Sequence, residues 1–278
     1  MKAFKYILVA LFSAALFSCS QQTPAPSETV GLTKVQEFTN DDHIVELYTK
    51  NGSLETGYND IYLRIKSKAS GEYFTEADIM WMPVMHMMSM NHSCPYSAVT
   101  KVAGKETLFN GNIVFQMPEN ADEGWTLTID YMIMGTNYTA AGDISVPDAP
   151  KKRVMSFMGS DAARYIVALI APSDPKVAIN DMSVGVYKME SMMSFPKVAD
   201  YKLLIDPRMP GMGNHGSPNN EDPVYSDLDG LYHGKLSLTM TGYWKINMIL
   251  KNAADEVLKG EEVTESVESS SLYFEVEF

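Results

Sequence analysis

Cysteine is nearly absent. The 278 residues hold two, Cys19 and Cys94, so no disulfide framework can brace the chain, and if Cys19 is consumed by modification Cys94 stands alone. Basic residues are also in deficit: 22 Lys and Arg face 35 Asp and Glu, a formal charge of −13. So acidic a chain disfavours nucleic acid and anionic membrane faces as partners and tolerates cations. Beyond the first eighteen residues no apolar run approaches the length of a spanning helix. No long stretch keeps a helical period, and no nucleophile elbow, phosphate loop or zinc-protease helix motif appears. These absences predict a mostly β protein that is not an enzyme.

What is present begins at the N-terminus. Lys2 and Lys5 precede an apolar and small run from Tyr6 to Phe17, and Ser18 stands before Cys19. That pattern reads as a secretory signal over 1–18. It resembles a bacterial lipoprotein signal, which implies that Cys19 becomes lipid-modified and N-terminal. Removing 1–18 would also remove two lysines and leave the chain more acidic still. Residues 19–43 then form the lipidated cysteine and a polar, Pro-containing tether. Ser20 after Cys19, with no acidic run there, points to an outer-membrane anchor facing the periplasm, the membrane itself being one partner.

Past the tether, short alternating runs are separated by turn residues: Ile61, Leu63 and Ile65, then Ile113 and Phe115, then Leu127 and Ile129. A period of two with frequent turns predicts antiparallel strands packed as sandwiches. The second half repeats the first in order. Asn59-Asp60 matches Asn180-Asp181, Met82-Pro83-Val84-Met85 matches Met209-Pro210-Gly211-Met212, and Asn91-His92 with Pro95 matches Asn214-His215 with Pro218. Gly111 leading to Met117 matches Gly234 leading to Met240, and Trp125 matches Trp244. The expected fold is therefore all-β, two tandem immunoglobulin-like antiparallel β-sandwich domains over 44–147 and 160–278. Residues 148–159 supply a linker and first strand, with the prolines at 147 and 150 interrupting the strand pattern there. Trp125 and Trp244 read as core aromatics, and His43 as a solvated surface residue.

The densest chemistry lies between Met80 and Cys94, where six methionines, two histidines and one cysteine fall within fifteen positions. Thioether, thiol and imidazole donors suit Cu(I) or a similar soft ion, whereas calcium and magnesium call for oxygen. If the segment is extended, Met88, Met90, His92 and Cys94 project to one side; Pro83 and Pro95 argue instead for a loop or edge, which could fold Met85, His86 and His92 together. His86, His92, Cys94 and a methionine also meet the blue-copper inventory, but the surplus of thioethers favours Cu(I) storage or transfer. Two bland readings stand beside these: methionine as core filler, and an exposed, adaptable surface that grips a partner peptide.

On Met82-Pro83-x-Met85-His86 with Pro95, Gly111, Met117 and Trp125, and on Met209-Pro210-x-Met212 with His215, Pro218, Gly234, Met240, Gly242 and Trp244, the chain resembles the YtkA-like family, related to FixH-type proteins. The resemblance covers most of both halves. It implies an immunoglobulin-like sandwich in the cell envelope associated with copper handling, and Met82, Met85, His86, Met117, Met209, Met212, His215 and Met240 as ligands. With the local reading, the expected metal set adds Met88, Met90, His92 and Cys94. Copper, Cu(I) foremost, is the expected cofactor, with envelope copper-handling or assembly proteins as partners. Four extra residues separate Met85 from Asn91-His92 relative to the second copy, and no histidine follows Met212 directly.

Overall fold

The computed structural model describes residues 27–278, so the signal over 1–18 and Cys19 lie outside the described residues. Strand follows strand because the apolar residues alternate. In the first half these are β1 (Thr33–Thr39), β2 (His43–Thr49), β3 (Gly57–Ser67), β4 (Asp78–His86), β5 (Asn91–His92), β6 (Thr100–Lys101), β7 (Phe109–Phe115), β8 (Gly124–Ile133) and β9 (Thr136–Ile144). The second half has β10 (Val154–Met158), β11 (Arg164–Ala171), β12 (Ala178–Lys188), β13 (Lys202–Met209), β14 (His215–Gly216), β15 (Glu221–Ser226), β16 (Leu231–Leu238), β17 (Tyr243–Lys251), β18 (Val257–Lys259) and β19 (Leu272–Glu277). No helix among the described residues is long and apolar enough to cross a membrane.

The strands form antiparallel sheets ordered β1-β2-β3-β7-β6 and β5-β4-β8-β9, then β10-β11-β12-β16-β15 and β14-β13-β17-β18 with β19 also on β17. The arrangement is all-β and sandwich-like. Ile61, Leu63 and Ile65 of β3 meet Trp125, Leu127 and Ile129 of β8 in one apolar core, while Val184 and Val186 of β12 meet Trp244, Ile246 and Met248 of β17 in a second. Burying each such side chain fully is worth about 1.5–3 kcal/mol, which is why the period of two holds wherever a sheet faces a core. Trp125 and Trp244 are buried, as the alternation predicts. A third cluster, Val114 with Ile166, Ala168 and Tyr187, joins the halves.

Strand order repeats between the halves, and so do local details. Asn59 accepts from the Glu55 amide and donates to the Glu55 and Gly57 carbonyls; Asn180 does the same with Lys176 and Ala178. Gly111 stands opposite Ile61 as Gly234 stands opposite Met182. Trp125 Nε1 donates to the Met117 carbonyl and Trp244 Nε1 to that of Met240, each at 3.0 Å.

One pairing read from the sequence is displaced. Pro83 lies opposite Leu127, two residues after Trp125, and it is Pro207 that lies opposite Ile246, two residues after Trp244. By strand register Met85 therefore corresponds to Met209, each lying across from its histidine, His92 or His215. Met209-Pro210-Gly211-Met212 is instead a strand end and a 3-10 turn, so its likeness to Met82-Pro83-Val84-Met85 is one of letters. Pro83 is tolerated inside β4 because β5, the strand beyond it, spans only two residues.

Two further expectations change. The stretch 19–43 is not all tether: β1 pairs with β2 and buries Phe38, so the sheet begins well before residue 44. His43 is buried among Phe74, Tyr131 and Tyr138 rather than solvated. Burial holds its pKa below the ordinary histidine value, against the opposing charge of Asp42.

Candidate metal centre

The methionine-rich segment is a hairpin. β4 ends at His86, the Met87 amide donates to the Met90 carbonyl (3.0 Å), and β5 returns through His92. Alternation along β4 turns Met85 into the first core with no exposed surface and leaves His86 outside, where Nε2 meets the Thr126 hydroxyl at 2.9 Å. Met82 is half-buried and its sulfur accepts from the Tyr96 hydroxyl at 3.5 Å. Met88, at the hairpin tip, is 85% exposed.

His92 is placed differently. It is 8% exposed, its ring edge-on to Trp125, and its Nδ1 lies 2.7 Å from the Ser93 carbonyl. A carbonyl oxygen only accepts, so Nδ1 carries the proton and Nε2 keeps its lone pair, the tautomer a metal-binding histidine needs. Gln116 Nε2 lies 3.1 Å from the same carbonyl and 3.2 Å from Nδ1; with Nδ1 donating along its shorter 2.7 Å contact, the amide donates to the carbonyl. Nε2 faces Met117 Sδ at 3.3 Å, two lone-pair groups pointed at each other. A soft ion at tetrahedral angle, with bonds of about 2.0 Å to nitrogen and about 2.3 Å to sulfur, would hold those atoms about 3.5 Å apart. The pair is thus spaced as two ligands of one ion are.

This pair opens into a cavity of about 430 Å³ lined by Met87, Met90, Met117, Met189 and Met192, with His92, Gln116, Ser156, Arg164 and Phe195. Gln116 Oε1 is the one buried side-chain oxygen or nitrogen without a hydrogen-bond partner among the described residues. An unpaired buried acceptor costs about 1–3 kcal/mol, a cost that a cation in the cavity would relieve. No carboxylate lines the space, and Arg164 is its charged member. Among the described residues no three His, Cys, Asp or Glu side chains converge as a metal site would require, so any centre here must use thioethers.

Cys94 does not reach this cavity. It lies in the first core, fully buried, and burial pushes its thiol pKa up, which keeps it the inert small hydrophobe of ordinary packing. The second copy is open where the first is closed. Met209 is buried beneath Gly242, while Met212 and His215 are exposed and Met240 is half-buried. Met240 makes no polar contact with His215 among the described residues of the kind that brings His92 Nε2 to Met117 Sδ.

Of the twelve metal ligands expected from the sequence, the structure gathers Met90, His92 and Met117 around one space, and distributes Met82, Met85, His86, Met88 and Cys94 elsewhere. Met87, Gln116, Met189 and Met192 join the site without having been in that set. The run Met189-Glu190-Ser191-Met192-Met193 was a visible local enrichment of thioethers. Its distance along the chain hid its destination.

One other constellation invites a chemical reading. Ser183 Oγ lies 3.0 Å from His233 Nδ1, and Asp229 lies 2.9 Å from Nε2. His233 on β16 and Asp229 in the turn before it are exposed and Ser183 on β12 is half-buried, so water competes for the bonds, and the β12 amides are engaged by the neighbouring strands. That leaves no oxyanion donor from the nucleophile's own strand.

No family model and no curated protein matches the chain.

Proposed function

We propose that this chain is a lipid-anchored bacterial envelope protein of two tandem immunoglobulin-like, YtkA-like sandwiches that binds Cu(I) and carries or buffers it. The observation that carries the reading is the His92–Met117 pair, its imidazole tautomer fixed by Ser93 and its lone pairs 3.3 Å apart at the mouth of a thioether-lined cavity. Neutral sulfur donors with one imidazole and no carboxylate favour a soft monovalent ion over zinc, calcium or magnesium. His92 and Met117 are the fixed ligands, and the remaining positions of a four-coordinate ion are filled from the thioethers that line the cavity. Cys94 and Met85, held in the core, are not ligands in this reading.

Titration of the purified mature protein with Cu(I) against a chromogenic chelator tests it. A parent protein that competes no better than a His92→Ala, Met117→Leu variant would sink the reading. The exposure of Met88 and Met90 supports a second one, in which the hairpin is an adaptable surface for an envelope partner protein. That reading expects capture of the partner to survive complete metal removal; loss of capture on chelation counts against it.

A further inference from the structure

Between β12 and β13 the chain reads Met189-Glu190-Ser191-Met192-Met193-Ser194-Phe195, whereas the corresponding connection in the first half, residues 68–77, contains no methionine. The thioethers of this connection are therefore not a feature of the repeat. Through Met189 and Met192, the second half's thioethers there, the connection lines the first half's site together with Ser156 and Arg164.

Its attachment there is specific. The Met192 carbonyl accepts from the Ser93 amide at 2.7 Å, and the Ser93 carbonyl in turn accepts from His92 Nδ1 at 2.7 Å. The segment thus sets the residue that orients the imidazole. At its base the Glu190 amide donates to the Ser194 carbonyl (3.0 Å), the Lys188 amide donates to the Pro196 carbonyl (3.0 Å), and Phe195 packs on the cluster that joins the halves. The base is anchored while the tip, Met192, keeps 44% of its surface exposed at the cavity mouth. Met189 lies deeper, half-buried.

We propose that this segment is the cap of the Cu(I) site: Met189 and Met192 supply thioether ligands from the second half, so the bound ion ties the two halves together, and Met192 is the ligand exchanged when the ion is passed on. The proposal rests on the copper reading above and deepens it. Exchange needs no redox change and no proton: an incoming thioether or thiolate donates a lone pair to Cu(I) as the Met192 sulfur withdraws its own. Methionine suits that role because its thioether is neutral and its side chain has several low-barrier rotamers. The second copy, where His215 is exposed and makes no hydrogen bond to Met240 among the described residues, then supplies ligands to its neighbour's site.

The test uses the full mature chain and a Met189→Leu, Met192→Leu variant, with Cu(I) as the probe. Leucine keeps the volume and removes the sulfur, and melting of both metal-free proteins checks the fold. The expected result is a fall in Cu(I) affinity on the order of 10- to 100-fold, fewer sulfur neighbours of copper by X-ray absorption, and Cu(I)-dependent protection of the Ser93 amide from hydrogen exchange in the parent alone. A variant that binds as tightly with the same sulfur count confines the site to the first half and overturns the cap, while leaving the copper reading standing. A parent that fails to outcompete the His92→Ala, Met117→Leu variant removes both.

Discussion

Replacing Met117 with leucine separates a ligand from a packing residue more cleanly than any other change. Met117 is half-buried against the first core, and its backbone carbonyl accepts from Trp125 Nε1, a bond the substitution leaves in place. A volume-conserving swap of this kind costs less than about 1.5 kcal/mol of stability. The effect on metal is larger. A four-ligand soft-metal site worth about 10–16 kcal/mol loses on the order of 3 kcal/mol per donor, which is about 100-fold in affinity. Chelator competition measures the affinity and thermal melting of the metal-free proteins measures the stability. Met85→Leu is the control: Met85 is fully buried 0% exposed in the same core but does not line the cavity, so it should cost comparable stability and no affinity. Met240→Leu, at the matching position of the second copy, should also leave affinity intact. Equal affinity for parent and Met117→Leu, or an equal loss for Met85→Leu, would refute the assignment.

The two tryptophans give a paired test. Trp125→Phe and Trp244→Phe each remove an indole donor from a methionine carbonyl and open a small void, at a cost of about 2–4 kcal/mol, but only Trp125→Phe should weaken Cu(I), because its ring also supports His92. Gly111→Ala places a methyl 2.6 Å from the Trp81 ring and 3.1 Å from the Ala98 carbonyl, and should lower stability by about 1–3 kcal/mol in a denaturant titration. His43 yields a pH effect. Its folded pKa is depressed, so the unfolded chain takes up the proton first, near pH 6.5; the stability His43 contributes is present above that value and is lost as pH falls through it. Melting temperature should decline from pH 7 toward 5 in the parent, and His43→Phe should flatten that slope; an unchanged slope would assign the decline to other groups.

Much of the fold was legible because one physical rule dominates it. A sheet with one buried face demands a period of two, and Ile61, Leu63, Ile65, Leu127 and Ile129 display it without interruption. The repeat was legible for the same reason, through Asn59 and Asn180, Gly111 and Gly234, and the tryptophans. Residue letters misled where register alone decides. Met-Pro-x-Met recurs in the sequence, yet the ladders set Pro83 against Pro207, and nothing short of the pairing reveals that. The site was half legible. Donor chemistry could be read from composition, but the same alternation that made the strands visible sends Met85 inward and His86 outward, so adjacency in sequence overstates convergence in space. Met189 and Met192 reach the cavity through tertiary packing of one half on the other, which leaves no local signature beyond their density. His43 looked solvated because nothing in the residues beside it announces the ring cluster formed by β8, β9 and the Phe74 connection.

Under the copper proposal, selection of the ion would follow from the contrast between the whole surface and the cavity. A formal charge of −13 raises the local concentration of every cation, and divalent ions gain the most, so attraction at long range works against a site for Cu(I). The cavity reverses that preference. Its donors are uncharged, and Arg164 among its lining residues repels a divalent ion twice as strongly as a monovalent one at the same distance. A hard divalent ion entering there would shed tightly held water for thioethers that bind it poorly, whereas a soft monovalent ion loses less hydration and gains polarisable ligands. Placing such a site at the seam between two halves adds a second consequence. His92 and Met117 are held against the first core, whereas thioethers from the connection laid across from the other half can be released without disturbing either core. Under the copper proposal, buffering and hand-over would use a His92–Met117 pair held by the first core together with a cap that yields.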